Sequence, residues 1–379
     1  MNVCLVTYEF PPHIFGGAGT YAGNLFDGLT NEGINVHVLT NDTYDRHKKN
    51  VTTINTPDIA YWRRLFFSYY NKKVIEKLNE RHGFDVIHYN EPHIILNTPK
   101  IPAISTFHST QINELVTKIS LSKLIDSGNL VETFIKSPVG GLADIISARK
   151  LKRIISPSTD LKKKISKYCL YDDNRIDVIP NGVKIPEIEK KVTINKHNLE
   201  KKKYILFIGR MDPIKGIEYL ITAFNDICRE YSDVFLVLVG DGYYKNYLKR
   251  ITKTNKQIIF LGHISDETEK HFLYQNCEML VLPSIYEAMP MVILEAMSYA
   301  KPVIASEVGG IPSIITDGIN GFLTQPRDAY RIRKQIKKLL DQPDVSQGMG
   351  IKNRELIINQ YSEDKMTKET INVYDKIVD

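Results

Sequence analysis

The chain has 379 residues, of which 42% are hydrophobic, 25% charged and 9% aromatic. That length and balance exclude a disordered polymer and suit two globular cores rather than one. Its 50 basic and 44 acidic side chains leave a net charge of +6, a bias that fits small anionic ligands and does not call for nucleic acid.

In chain order, short β-branched runs alternate with stretches of helical period. The first half carries VCLVT (3–7), NVHVLT (35–40), DVIHYN (85–90), AISTFHS (103–109), RIISPS (153–158) and DVIPNGV (177–183). The second half carries YILFIGR (204–210), VFLVLVG (234–240), QIIFLG (257–262), EMLVLPS (278–284), PVIASEV (302–308) and GFLT (321–324). Strands this apolar are covered on both faces, which predicts parallel sheets with helices outside. The β-α-β-α order occurs twice, so two doubly wound α/β domains are expected. The break falls in the lysine-rich stretch 184–203, giving domains at 1–183 and 184–361, and 362–379 reads as a last helix capped by Ser362. A hinge there predicts a cleft lined by the carboxyl ends of both sheets.

Cys4, Cys169, Cys228 and Cys277 lie far apart without a CxxC pair, so no disulfide framework or zinc site follows. No apolar run reaches about 18 residues, and the N-terminus lacks a basic n-region. The expected setting is the cytoplasm. YWRRLFFSYYNKK (61–73) mixes aromatic and basic residues, which reads either as a helix with its apolar face in the core or as a peripheral patch on the inner face of a membrane.

Four places carry chemistry. GAGTYA (17–22), with Asp42 twenty residues later, matches a dinucleotide fingerprint, but a loop containing Pro11 and Pro12 precedes Gly16 where a Rossmann turn should be tight. A glycine loop contacting a ligand at Gly16 and Gly17, or a purely structural turn, are the other readings. FIGRMDPIKG (207–216) places Arg210 at a strand end and Lys215 before a helix, as fixed cations for a diphosphate or as solvated surface charges. His108 ends a strand of the first domain, as a structural or a functional group. EAMPMVILEAM (287–297) sets Glu287 before a helix predicted to begin at Pro290, with Glu295 inside it. Glu295 either faces solvent or is buried and needs partners such as a ligand's hydroxyls.

Together PPHIFGGAG, STFHS, VIPNGV, GRMDPIKG, VLVGDG, FLGHI, VLPSIYEAMPMVILEAMSYAKPVIASEVGGIPSII and GFL resemble, in order and over nearly the whole chain, the retaining GT-B nucleotide-sugar glycosyltransferases of the glycogen-synthase-like and mannosyltransferase-like group, glycosyltransferase family 4. The two glutamates with seven residues between them are the specific signal. The resemblance implies two Rossmann-like domains facing a central cleft. It further implies transfer of a sugar from a nucleoside diphosphate sugar to a glycan or lipid-linked acceptor, with retention. It places Glu287 at the donor sugar's hydroxyls, Glu295 at the ribose, and Arg210, Lys215 and the amides of Met291 and Val292 at the diphosphate. Ile264 would lie near the base, the Gly16–Gly17 loop over the donor, and His108 at the reacting sugar. No D-x-D occurs in the chain, so no metal or other cofactor is expected. Ala288 and Pro290 stand where many members have glycine, Tyr21 and Lys184 replace a histidine and an aspartate, and Ser109 stands where an acidic residue is common. A GT-B epimerase, a non-catalytic nucleotide-sugar binder and an NAD-dependent oxidoreductase are the competing classes.

Overall fold

In a computed structural model the described residues are 1–14, 16–41, 50–56, 63–91, 95, 98–120, 141–188, 197–252 and 255–378. Asp42, Tyr61 and Trp62 therefore lie outside them. The chain forms two compact units, Met1–Gly182 with Glu363–Asp379, and Val183–Ser362.

The first unit is built on β1 (Asn2–Val6), α1 (Gly17–Asn31), β2 (Asn35–Asn41), β3 (Val51–Ile54), α2 (Arg63–His82), β4 (Val86–Tyr89), β5 (Ala103–Thr106), α3 (Gln111–Ser120), a helix over 141–149 (α4), β6 (Arg153–Ser156), α5 (Thr159–Cys169) and β7 (Ile176–Val178). Its sheet runs β3-β2-β1-β4-β5-β6-β7 with every pairing parallel. β3 is an addition to the strands expected from the sequence. Its VTTI is polar and only partly buried because it forms the sheet edge.

The second unit contains β8 (Lys203–Ile208), α6 (Ile217–Glu230), β9 (Val234–Val239), α7 (Lys245–Ile251), β10 (Ile258–Gly262), α8 (Glu267–Asn276), β11 (Met279–Leu282), α9 (Met291–Ser298), β12 (Val303–Ser306), β13 (Phe322–Thr324), α10 (Ala329–Asp341) and α11 (Pro343–Gln360). The sheet order is β10-β9-β8-β11-β12-β13, again all parallel. β9 reads VFLVLV because helices cover both of its faces. α6 buries Ile217, Leu220, Ile221, Phe224 and Ile227, the i, i+3, i+4, i+7 stripe of a helix lying on a sheet. Each such side chain contributes about 1.5–3 kcal/mol on burial.

α12 (Glu363–Val378) belongs to the first unit. It packs on α1 at a place only glycine permits: a Cβ on Gly28 would stand 2.0 Å from Thr367 Oγ1. Tyr374 then reaches buried His88, with its hydroxyl 2.7 Å from Nδ1, while Nε2 lies 2.8 Å from Thr106 Oγ1. Burial holds His88 neutral, pushing its pKa down to about 3. In α2, Phe67, Ser68 and Asn71 are buried while Tyr69 and Tyr70 are exposed, so the aromatic and basic stretch is split between the core and the surface. No helix among the described residues is long and apolar enough to cross a membrane.

Candidate active site

In the second unit β9 lies on one side of β8 and β11 on the other, so the strand order reverses between the carboxyl ends of β8 and β11. Open parallel sheets take ligands at such a crevice. After β8, Asp212 Oδ1 accepts the Ile214 amide at 3.0 Å and starts a 3-10 turn over Pro213–Lys215. Ile214 O in turn accepts the Ile285 amide at 2.7 Å from the loop after β11. The two banks are thus joined backbone to backbone.

Lys215 crosses the same crevice. Its Nζ lies 2.6 Å from Glu287 Oε1, which also accepts Ser284 Oγ at 2.8 Å. Glu287 is 8% exposed, so the pair is held largely out of water, where unlike charges attract more strongly and cost more to separate. Its backbone is fixed as well. Gly310 N donates to Glu287 O, and neighbouring Gly309 has φ +54° with space for no side chain, since a Cβ would stand 1.6 Å from that carbonyl. Lys215 is therefore neither an isolated cation nor a solvated one. Arg210 is different, with a 63% exposed side chain and Nε 3.7 Å from Asp212 Oδ2.

α9 starts at Met291, one residue later than expected, because Pro290 keeps φ at −76° but takes an extended ψ of 120° and serves as the N-cap. No side chain caps this end. The amides of Met291 and Val292 thus sit at the positive pole of the helix. Glu295, partly buried, follows in the second turn, and its Oε2 accepts Tyr274 Oη from α8 at 2.5 Å. Burial raises its pKa, and the Tyr274 hydrogen bond and the charge of Lys270 work against that rise. The alternative of a merely solvent-facing glutamate is thereby excluded. Ile264 follows β10, two strands from β8, and is buried in the core.

The first unit repeats the arrangement around β1, whose neighbours are β2 and β4. The β1–α1 connection occupies 7–16, far from a tight Rossmann turn, and Gly16 is the N-cap of α1 in extended backbone. Gly16 and Gly17 are exposed. Asn90, just after β4, donates its Nδ2 to Ala18 O at 2.8 Å and to Thr7 Oγ1 at 3.1 Å. Since a carbonyl only accepts, the amide oxygen faces the other way, 3.0 Å from His108 Nε2. That assignment makes Nε2 the protonated nitrogen. The His108 ring lies edge-on to Tyr21, 4.7 Å between centroids. The glycine loop and His108 are thus brought together through Asn90 and Tyr21.

Residues 15–185 match the family model Glycosyltransferase Family 4, and residues 189–356 match Glycosyl transferases group 1. The chain belongs to the family-4-like GT-B glycosyltransferases. This glycosyltransferase is similar to an uncharacterized glycosyltransferase, MJ1607, of Methanocaldococcus jannaschii, at 26% identity over 99% of this chain and 98% of the relative. Its fold is that of the sucrose-phosphate synthase of Thermosynechococcus elongatus, with TM-score 0.80, 19% identity, and coverage of 99% and 98%. It is also that of Anabaena Alr3699/HepE solved with UDP-glucose, with TM-score 0.75, 17% identity, and coverage of 99% and 100%.

Sequence reasoning missed Ser284, Asn90 and Tyr274 of this glycosyltransferase. Ser284 and Asn90 close the runs EMLVLPS and DVIHYN just past the ends of β11 and β4, and that position beyond a strand end was the available signal. It also missed Glu218 in the first turn of α6, whose carboxylate oxygens are both buried and find no hydrogen-bond partner among the described residues. Burial pushes its pKa up to about 7, opposed by its own backbone amide and by Arg327.

Proposed function

We propose that this glycosyltransferase moves a hexosyl group from a nucleoside diphosphate sugar to a hydroxyl of a glycan or lipid-linked glycan, with retention at the anomeric carbon and without a metal ion. The observation that supports this best is the Lys215–Glu287 pair across the β8–β11 crevice, followed by the uncapped start of α9 and by Glu295 on that helix.

In this reading Arg210, Lys215 and the amides of Met291 and Val292 receive the diphosphate, and Glu295 the ribose hydroxyls. Glu287 receives the sugar hydroxyls and Ile264 lies toward the base. Gly16 and Gly17 allow close approach to the donor, and His108 faces the reacting sugar. The acceptor oxygen bonds to the anomeric carbon as the bond from that carbon to the diphosphate oxygen breaks. The bonding pair leaves with the phosphate, which takes the acceptor's proton on the same face. Protein cations and helix amides fixed in advance stabilise the charge that develops on the leaving group, the task a metal performs elsewhere. Because Lys215 is already held by Glu287, an arriving phosphate shares the ammonium with the carboxylate, and donor binding is coupled to the position of Glu287.

UDP-glucose, bound by the Anabaena protein, is the first donor to try, beside GDP- and ADP-sugars. The test is proton NMR of the product formed in excess EDTA. The expected product is a glycoside with the donor's anomeric configuration. An inverted product, or activity abolished by EDTA and restored by magnesium or manganese, overturns the proposal.

A further inference from the structure

Tyr274 and Glu295 form a unit that the donor reading does not require. Tyr274 is 2% exposed, and its hydroxyl donates to Glu295 Oε2 at 2.5 Å. Its ring is stacked on Tyr299, 5.6 Å between centroids with an interplanar angle of 15°. The Tyr299 hydroxyl is in turn hydrogen-bonded to His271 Nδ1. The phenol therefore cannot swing away from the carboxylate without leaving its stack on Tyr299, a ring itself anchored through its hydroxyl to His271. Glu295 Oε1 makes no hydrogen bond among the described residues. Glu295 lies in the second turn from the uncapped end of α9, and in a helix the Cα–Cβ bonds tilt toward the N-terminus. Oε2 is held and Oε1 is left for a ligand.

We propose that Tyr274 is a positioning residue for nucleotide binding, which fixes Glu295 by its Oε2 so that Oε1 accepts from a ribose hydroxyl of the nucleoside diphosphate. This rests on the reading of Glu295 as the ribose-binding carboxylate. A second effect follows from the same contact. Burial disfavours the charged carboxylate, and the Tyr274 hydroxyl and Lys270 favour it while Glu267 opposes it. The other groups of this cluster are Tyr299, which burial first and then the Glu295 and Glu267 charges keep protonated against the charge of Arg354, and His271 beyond it. Removing the Tyr274 hydroxyl takes away the largest of the contributions that keep Glu295 ionised.

The test uses the full chain and whichever of UDP, GDP and ADP binds, each beside its 2′,3′-dideoxy counterpart. Titration calorimetry gives both affinities for the wild type, Tyr274→Phe, Tyr299→Phe and Tyr204→Phe. The last deletes another buried hydroxyl, bonded to Leu273 O at 2.9 Å, and serves as a control for packing. The wild type is expected to prefer the ribonucleotide by about tenfold or more. Tyr274→Phe should lose most of that preference and keep the dideoxy affinity. Tyr299→Phe should lose part of it, and Tyr204→Phe none. On acidification Tyr274→Phe should lose ribonucleotide affinity at a higher pH than the wild type, because its Glu295 protonates sooner. A full preference retained in both Tyr274→Phe and Tyr299→Phe, or equal weakening of both nucleotides by Tyr274→Phe, overturns the role of Tyr274. A wild type with no ribose preference overturns instead the reading of Glu295 on which it rests.

Discussion

Lys215→Met tests whether the ion pair at the β8–β11 crevice shapes the site. The substitution keeps the aliphatic stem and removes the ammonium, leaving the Glu287 carboxylate, among the described residues, with Ser284 Oγ as its remaining side-chain hydrogen-bond donor. Breaking a buried pair from one side costs about 3–5 kcal/mol. The Lys215 side chain is 20% exposed and that of Glu287 10%, so water reaches part of the gap and the expected cost is near the lower end, about 3 kcal/mol. Lys215→Met/Glu287→Gln removes the stranded charge and should recover about 2 kcal/mol of this, an interaction energy of the size that contacting residues show. Urea unfolding followed by circular dichroism at fixed pH gives the stabilities, and transfer from the nucleotide sugar gives the rates. Both variants should be inactive, so that the double variant separates stability from catalysis. A Lys215→Met protein within about 0.5 kcal/mol of the wild type, or a double variant no more stable than the single, would refute the buried-pair argument.

Glu287→Ala should reduce kcat by about a hundredfold, as loss of a group that acts on developing charge does, with a smaller change in affinity for the free nucleotide; parallel kinetics and calorimetry check it. Gly309→Ala places a methyl at φ +54° against Glu287 O. The strain alone costs about 1–3 kcal/mol, and an unchanged melting temperature would count against it. Burial raises the Glu218 carboxyl from the ordinary glutamate range to about 7 in the folded chain. Its neutral form suits the fold, so its contribution to stability is complete below about pH 4.5 and is lost as pH rises through 7, by about 3 kcal/mol at most. Glu218→Gln should flatten that decline, which urea midpoints at pH 5 and pH 8 reveal.

The strands were legible because burial on both faces writes itself as unbroken Val, Ile and Leu, as in VFLVLV and MLVL. β3 was not, because VTTI is a partly buried edge strand with half its residues threonine. The start of α9 was misplaced by one residue, since proline fixes φ and leaves ψ free. Arg210, Lys215, Glu287 and Glu295 stood out as charges at strand ends or in an apolar run. Their partners did not stand out. Lys215 and Glu287 are 72 positions apart and meet only because β11 rather than β9 flanks that side of β8, a fact of strand order that motif spacing does not encode. Tyr274 sits in HFLYQNC, where its neighbours Phe272 and Leu273 are core, and nothing in the local pattern tells a hydroxyl that serves a carboxylate from one that ends in a backbone bond.

The central claim is that a nucleoside diphosphate binds the second unit through Glu295 and the start of α9. Calorimetric titration of free UDP, GDP and ADP into the wild type and Glu295→Ala, at one pH and salt concentration, tests it most directly. The account predicts that at least one of the three binds the wild type and that Glu295→Ala weakens it by about tenfold to a hundredfold, the 1.5–3 kcal/mol of a hydrogen bond to a charged group. Equal affinity in the two proteins, with the variant folded, would contradict it.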